Sequence, residues 1–179
     1  MNFFTKNKYR ILENACSYIV VFAMVTYGFG KTVQFNGATN IPKPVSELTG
    51  MQLMWAFYGY SKPFVYTIGV LEIIGGILLL LKRTRLIGCL LVSTILINII
   101  LQDIFYDVNM GALRAAIFYQ AMILFIFYFN RIKIIATWNI LTKKVDNQSN
   151  FKNNLLVLLL SGFSFILLRI AEYYLTSKW

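Results

Sequence analysis

The segment from Pro63 to Arg85 limits what this chain can fold into more than any other. It is an apolar run, PFVYTIGVLEIIGGILLLL, with one carboxylate, Glu72, near its middle and a basic exit at Lys82, Arg83 and Arg85. A helix needs roughly 20 predominantly apolar residues to cross the hydrocarbon core of a bilayer. An ionised group at mid-depth is costly unless it is paired or hydrated. The segment therefore reads as a membrane span whose internal charge needs a partner or has a function.

Composition agrees. Of the 179 residues 58% are hydrophobic and 13% charged, where a soluble domain carries about 25% charged residues. The +10 net charge does not point to nucleic acid. The basic residues sit in short clusters between apolar runs, where they orient helices. Histidine is absent, which removes the usual haem and zinc ligand and the commonest base at neutral pH. Cys16 and Cys89 are isolated within apolar runs and read as small buried residues, so no metal site is expected.

Five spans are predicted, at about 11–29, 63–81, 86–106, 111–130 and 154–175. The first follows Lys6, Lys8 and Arg10; it is too long for a secretory signal, and no small-residue cleavage site follows it. The segment Met51–Tyr60, with Trp55, Phe57, Tyr58 and Tyr60, suits a helix at headgroup depth. The turn Asp107–Met110 is short enough to make spans three and four antiparallel neighbours. Residues 131–153 form a basic loop, of which Ile132–Leu141 mixes apolar residues with cations as a surface-lying segment does. Eleven of the 17 Lys and Arg residues fall before span one, at Lys82–Arg85 and between Arg131 and Lys152, which puts the N-terminus in the cytoplasm and the C-terminus outside. The expectation is one all-α integral domain, an antiparallel helix bundle in the cytoplasmic membrane, in contact with lipid and with no nucleic-acid partner. Its oligomeric state is not legible.

Polar residues inside the spans are the candidate site. Tyr66, Gly69, Glu72 and Gly76 recur at three- and four-residue steps, as do Thr94, Asn98 and Gln102, followed by Asp103. Lys31 ends span one, Arg114 and Gln120 lie in span four, and Arg169 and Glu172 end span five. Their depths suggest a funnel opening outward and narrowing toward Glu72, with Tyr66 and Tyr119 adding hydroxyls. In a structural reading Arg114 and Arg169 neutralise Asp103, Glu172 and Glu72 and hold the bundle together. In a functional reading Glu72 accepts a proton and the arginines orient an anionic or carbonyl-bearing ligand. The two are compatible.

The exit Tyr27-Gly28-Phe29-Gly30-Lys31, the core Glu72-Ile73-Ile74-Gly75-Gly76 running into Arg83-Thr84-Arg85, and the apolar span with Asn98 resemble the DoxX-like family of small bacterial membrane proteins, over about residues 14–130. The resemblance implies a four-helix membrane bundle, from which the fifth span departs. It also implies a membrane subunit associated with thiosulfate:quinone oxidoreduction or quinol oxidation, with Glu72 and Arg114 near a quinone headgroup. A quinone would be the one cofactor, and a redox protein the partner, because the sequence carries no haem, iron–sulfur or nucleotide motif. Two other readings stay open. One is a non-enzymatic anchor or assembly protein that engages its partner through Met51–Tyr60 and the fifth span. The other is a small proton-coupled transporter pairing Glu72 with Arg114 or Arg169, which the lack of a visible inverted repeat disfavours.

Overall fold

The computed structural model describes residues 3–143 and 151–176. Lys144, part of the expected basic loop, lies outside the described residues. Among the described residues there are seven α-helices, one 3₁₀ turn and no strand. They are α1 (Phe3–Gln34), α2 (Gly50–Tyr60), α3 (Lys62–Leu80), α4 (Arg85–Tyr106), α5 (Met110–Phe129), α6 (Arg131–Leu141) and α7 (Phe151–Thr176). Helices α1, α3, α4, α5 and α7 are long and apolar enough to cross a membrane. The protein is a multi-pass, all-α membrane protein.

The chain divides into two compact units, Met1–Trp138 and Asn139–Trp179. In the first, α1, α3, α4 and α5 form a closed ring in which each helix packs on two others, α1 on α3, α3 on α4, α4 on α5 and α5 on α1. Neighbours run antiparallel. Along the α1–α3 seam Gly28 meets Gly69, Met24 meets Gly76, and Ser17 hydrogen-bonds the Leu79 carbonyl at 2.9 Å, so one helix rises as the other falls. The seam is tight for a steric reason. A Cβ on Gly69 would lie 2.6 Å from the Gly28 carbonyl oxygen, and one on Gly28 would lie 2.7 Å from that of Gly69. Small residues thus let two backbones touch where lipid offers no hydrophobic drive to association. Gly88 serves the α3–α4 turn likewise, its missing Cβ lying 2.4 Å from the Leu79 nitrogen. The core that fills the ring includes Val20, Met24, Leu79, Val92, Leu96 and Ile123.

Helix α1 outruns the expected span at both ends, and the Tyr27–Lys31 exit is helical rather than a loop. Gly28 marks the crossing with α3 and not a break, since helical backbone satisfies its own polar groups at membrane depth. Helix α2 starts with a capping box in which Thr49 and Gln52 exchange hydrogen bonds of 3.1 and 3.2 Å. Its Gly50 lies against the Tyr106 carbonyl, where a Cβ would come within 2.0 Å, and this seats α2 across the end of α4. We call this the aromatic end of the bundle and the opposite one the basic end. Asp107, at φ 48°, ends α4 in a left-handed turn, and Asn109 caps α5 by accepting from the Ala112 N–H at 2.9 Å. In the second unit α7 is a single apolar helix of 26 residues.

Candidate functional site at the aromatic end

The site grows out of the Gly28–Gly69 crossing. Lys31 lies one turn beyond Gly28 on α1, and Glu72 one turn beyond Gly69 on α3, so the antiparallel seam separates them along its axis. The lysine stem bridges that gap by lying across the bare face of Gly69, whose missing Cβ would meet Lys31 Cβ at 3.2 Å and Cγ at 3.3 Å. Its Nζ ends 3.4 Å from Glu72 Oε1. Glu72 is 1% exposed and the Lys31 side chain 13% exposed. The pair is an electrostatic contact without hydrogen-bond geometry: neither carboxylate oxygen of Glu72 has a hydrogen-bond partner among the described residues. The lysine donates instead to Gln34 Oε1 at 3.1 Å.

Aromatic side chains cover the pair. Lys31 Nζ sits 5.8 Å from the centre of the Phe35 ring, within reach of a cation–π attraction. Phe35 stacks on Tyr58 of α2 at 5.1 Å and meets Trp55 edge-on at 5.5 Å. The Tyr58 hydroxyl accepts from Gln102 Nε2 at 2.6 Å, and the same amide reaches Asn98 Oδ1 at 2.6 Å. An open apolar cavity of about 540 Å³ flanks this cover, lined in part by Val45, Leu48, Phe57, Tyr60 and Phe64.

The predicted set is thereby sorted. Lys31, Glu72 and Gln102 gather at the aromatic end. Asp103 is buried nearby on α4, with Oδ2 lacking a hydrogen-bond partner. Gln120 is taken up by Ser93 of α4, to whose hydroxyl its amide donates at 2.7 Å. Tyr66 is exposed, and the reason is angular. At about 100° per residue, Val65, Gly69, Glu72, Gly76 and Leu79 share one face, and Tyr66 points well off it. Asn98 is exposed on α4 and Arg114 on α5. Arg114 forms no ion pair among the described residues, so the expected neutralisation of Glu72 and Asp103 by arginine is replaced by Lys31 at Glu72. Arg169 and Glu172 lie on α7 and pair with each other across one helical turn.

A second polar centre, at the basic end, was hidden in the Lys82–Arg85 run. Arg85 is 4% exposed. Its Nε donates to the Leu79 carbonyl at 3.2 Å, and its Nη1 to Glu13 Oε1 at 3.1 Å and Asn14 Oδ1 at 2.9 Å. Asn130 closes the knot by donating to Glu13 Oε1 at 3.1 Å. The spacing carries the signal: Arg85, Cys89, Val92, Leu96 and Asp103 fall on one helical face and are all buried. This centre ties α1, α4 and α5 together, with Arg85 Nη2 buried and without a hydrogen-bond partner among the described residues, and suits a structural clamp.

Fold and site together define a class: small multi-pass proteins built on an antiparallel four-helix ring, with a buried lysine–carboxylate pair under an aromatic cover. No family model matches the sequence and no solved structure matches the chain. The sequence is 31% identical over 110 residues to YwoB, an uncharacterized protein of Bacillus subtilis (strain 168), a match covering 59% of this chain and 69% of YwoB. The chain belongs to the same family as YwoB.

Proposed function

We propose that the protein is a DoxX-like subunit of the bacterial cytoplasmic membrane, with N-terminus inside and C-terminus outside. It binds a quinone or similar lipophilic carbonyl compound at the Lys31–Glu72 pair and serves a redox protein partner. The observation that carries this reading is the unused hydrogen-bonding capacity of Glu72, two buried carboxylate oxygens with no hydrogen-bond partner among the described residues, beside a lysine 3.4 Å away. Buried polar groups in folded proteins are satisfied in the great majority of cases, and an orphan at a charged centre is what a ligand group fills. A ligand hydroxyl would donate to Glu72 and a ligand carbonyl would accept from Lys31, while the apolar cavity beside α2 has the size and lining for a hydrocarbon part. Oxidation of a bound quinol sends two electrons to the partner, one proton to the Glu72 carboxylate and the second to water at the outer face. The chain's own contribution is binding and proton acceptance. The orientation rests on the clustering of Lys and Arg at the basic end.

The test is native mass spectrometry of the protein taken from its own membrane in mild detergent. A stoichiometric lipophilic molecule is expected on the wild type and is expected to be lost from Glu72→Gln. A folded wild type that carries a stoichiometric protein and no small molecule refutes the reading. That result would favour an anchor or assembly protein, for which the 26-residue apolar helix α7 provides an additional membrane-embedded surface.

A further inference from the structure

Helix α4 carries its polar stripe on the wrong side for a bundle that faces lipid. Arg85, Cys89, Val92, Leu96 and Asp103 mark its buried face. Roughly 180° away, at about 100° per residue, runs a second row: Ile87, Leu91, Thr94, Asn98, Leu101 and Phe105. Their spacing is four, three, four, three, four, the a/d repeat of a two-helix seam. Leu91 is half-buried and the other five are exposed, Phe105 at 77%. Asn98 is near the middle of the 22-residue helix, at hydrocarbon depth. Its Oδ1 accepts from Gln102, but no hydrogen bond from its Nδ2 group is found among the described residues. A carboxamide donor facing hydrocarbon is unfavourable, and transmembrane helices relieve it by bonding across to another helix.

We infer that this face of α4 packs against α4 of a second copy of the chain, in a parallel two-fold dimer with Asn98 at the axis. A second copy is the occupant the chemistry selects, because a carboxamide is self-complementary. Across a two-fold axis each Asn98 donates from Nδ2 and accepts at Oδ1, so one contact satisfies both copies at once. The a/d spacing is likewise shared by the two partners, and a single Asn at an a position fixes register and stoichiometry in such seams. The inference is independent of any ligand at Glu72.

Oxidative crosslinking of single-cysteine substitutions in native membranes tests it, with the wild type as the control for Cys16 and Cys89. Thr94→Cys, Leu101→Cys and Phe105→Cys are expected to give a covalent dimer, while Leu90→Cys, Ile97→Cys and Ile104→Cys, exposed on the flank, do not. Asn98→Leu is expected to weaken the dimer by about three- to thirty-fold, the worth of an interhelical hydrogen bond in a membrane. Asn98 is exposed, so the substitution leaves the bundle core intact, and Asn98→Gln retains the dimer. Crosslinking without the seam periodicity, crosslinks only to a different protein, or a wild-type monomer in the membrane would each overturn the inference.

Discussion

Replacing Arg85 by Met should destabilise the bundle far more than the same change at Arg83, two residues earlier in the same basic run. Arg83 is exposed in the turn between α3 and α4, whereas Arg85 is buried and makes hydrogen bonds to Glu13, Asn14 and the Leu79 carbonyl. Loss of the guanidinium strips three acceptors of a donor and leaves the Glu13 carboxylate with Asn130 alone. Removing one member of a buried pair costs about 3–5 kcal/mol when the survivor is fully enclosed. The Glu13 side chain is 21% exposed and keeps one hydrogen bond, so about 2–4 kcal/mol is the better expectation. Arg83→Met should change stability by no more than about 0.5 kcal/mol, as surface substitutions do. Reversible unfolding of both variants in mixed micelles, followed by circular dichroism against increasing SDS, reads the difference directly. Equal stability of the two variants would mean that the knot at the basic end contributes nothing, and the account of how α1, α4 and α5 are tied together would fail. Lys82→Met serves as a second exposed control, since Lys82 lies in the same turn.

Two further predictions concern the aromatic end. Gly69→Ala should destabilise by about 1–3 kcal/mol through overpacking, because the new methyl group meets the Gly28 carbonyl, which cannot move away, and the stem of Lys31. Gly30→Ala, with nothing within 4 Å of its Cβ, should be neutral or stabilising by up to about 1 kcal/mol; thermal unfolding in detergent separates them, and a harmless Gly69→Ala would remove the close crossing. For the ion pair, Lys31→Met, Glu72→Leu and the double variant form a thermodynamic cycle in the same SDS titration. A coupling of about 1–3 kcal/mol is expected, with the double variant more stable than Glu72→Leu alone because it leaves no unpaired buried lysine; additive effects would show that the 3.4 Å contact is incidental.

The sequence disclosed the helices and concealed the pairings, and the reason lies in what each depends on. A span is a local property of an apolar run, so four of the five expected spans match helices α3, α4, α5 and α7 to within a few residues. The buried face of α3 was legible in part, because Gly69, Glu72 and Gly76 obey the helical period and are buried. Tyr66 was assigned to that face on polarity, and its angle contradicts it. Charge pairing depends on which helices are adjacent and how closely they cross. The nearest cation to Glu72 is Lys31 because two glycines let α1 and α3 touch, a condition set by residues 41 positions apart that no single span reveals. Arg85 was hidden for a different reason: a cation at the end of a span is expected to mark the interface, and of the three cations in this run only Lys82 and Arg83 are exposed. Two residues after Arg83, the same side chain type begins α4 on its buried face and becomes the centre of a polar knot. Position relative to the helix period decided its role, and composition could not. The same logic runs in reverse at Asn98, where a polar residue expected to line the interior faces outward. Under the two proposed readings, Glu72 on the interior face of α3 serves a site within one chain and Asn98 on the outward face of α4 a contact between two, while Arg85 and Asp103 lie on the buried face of α4.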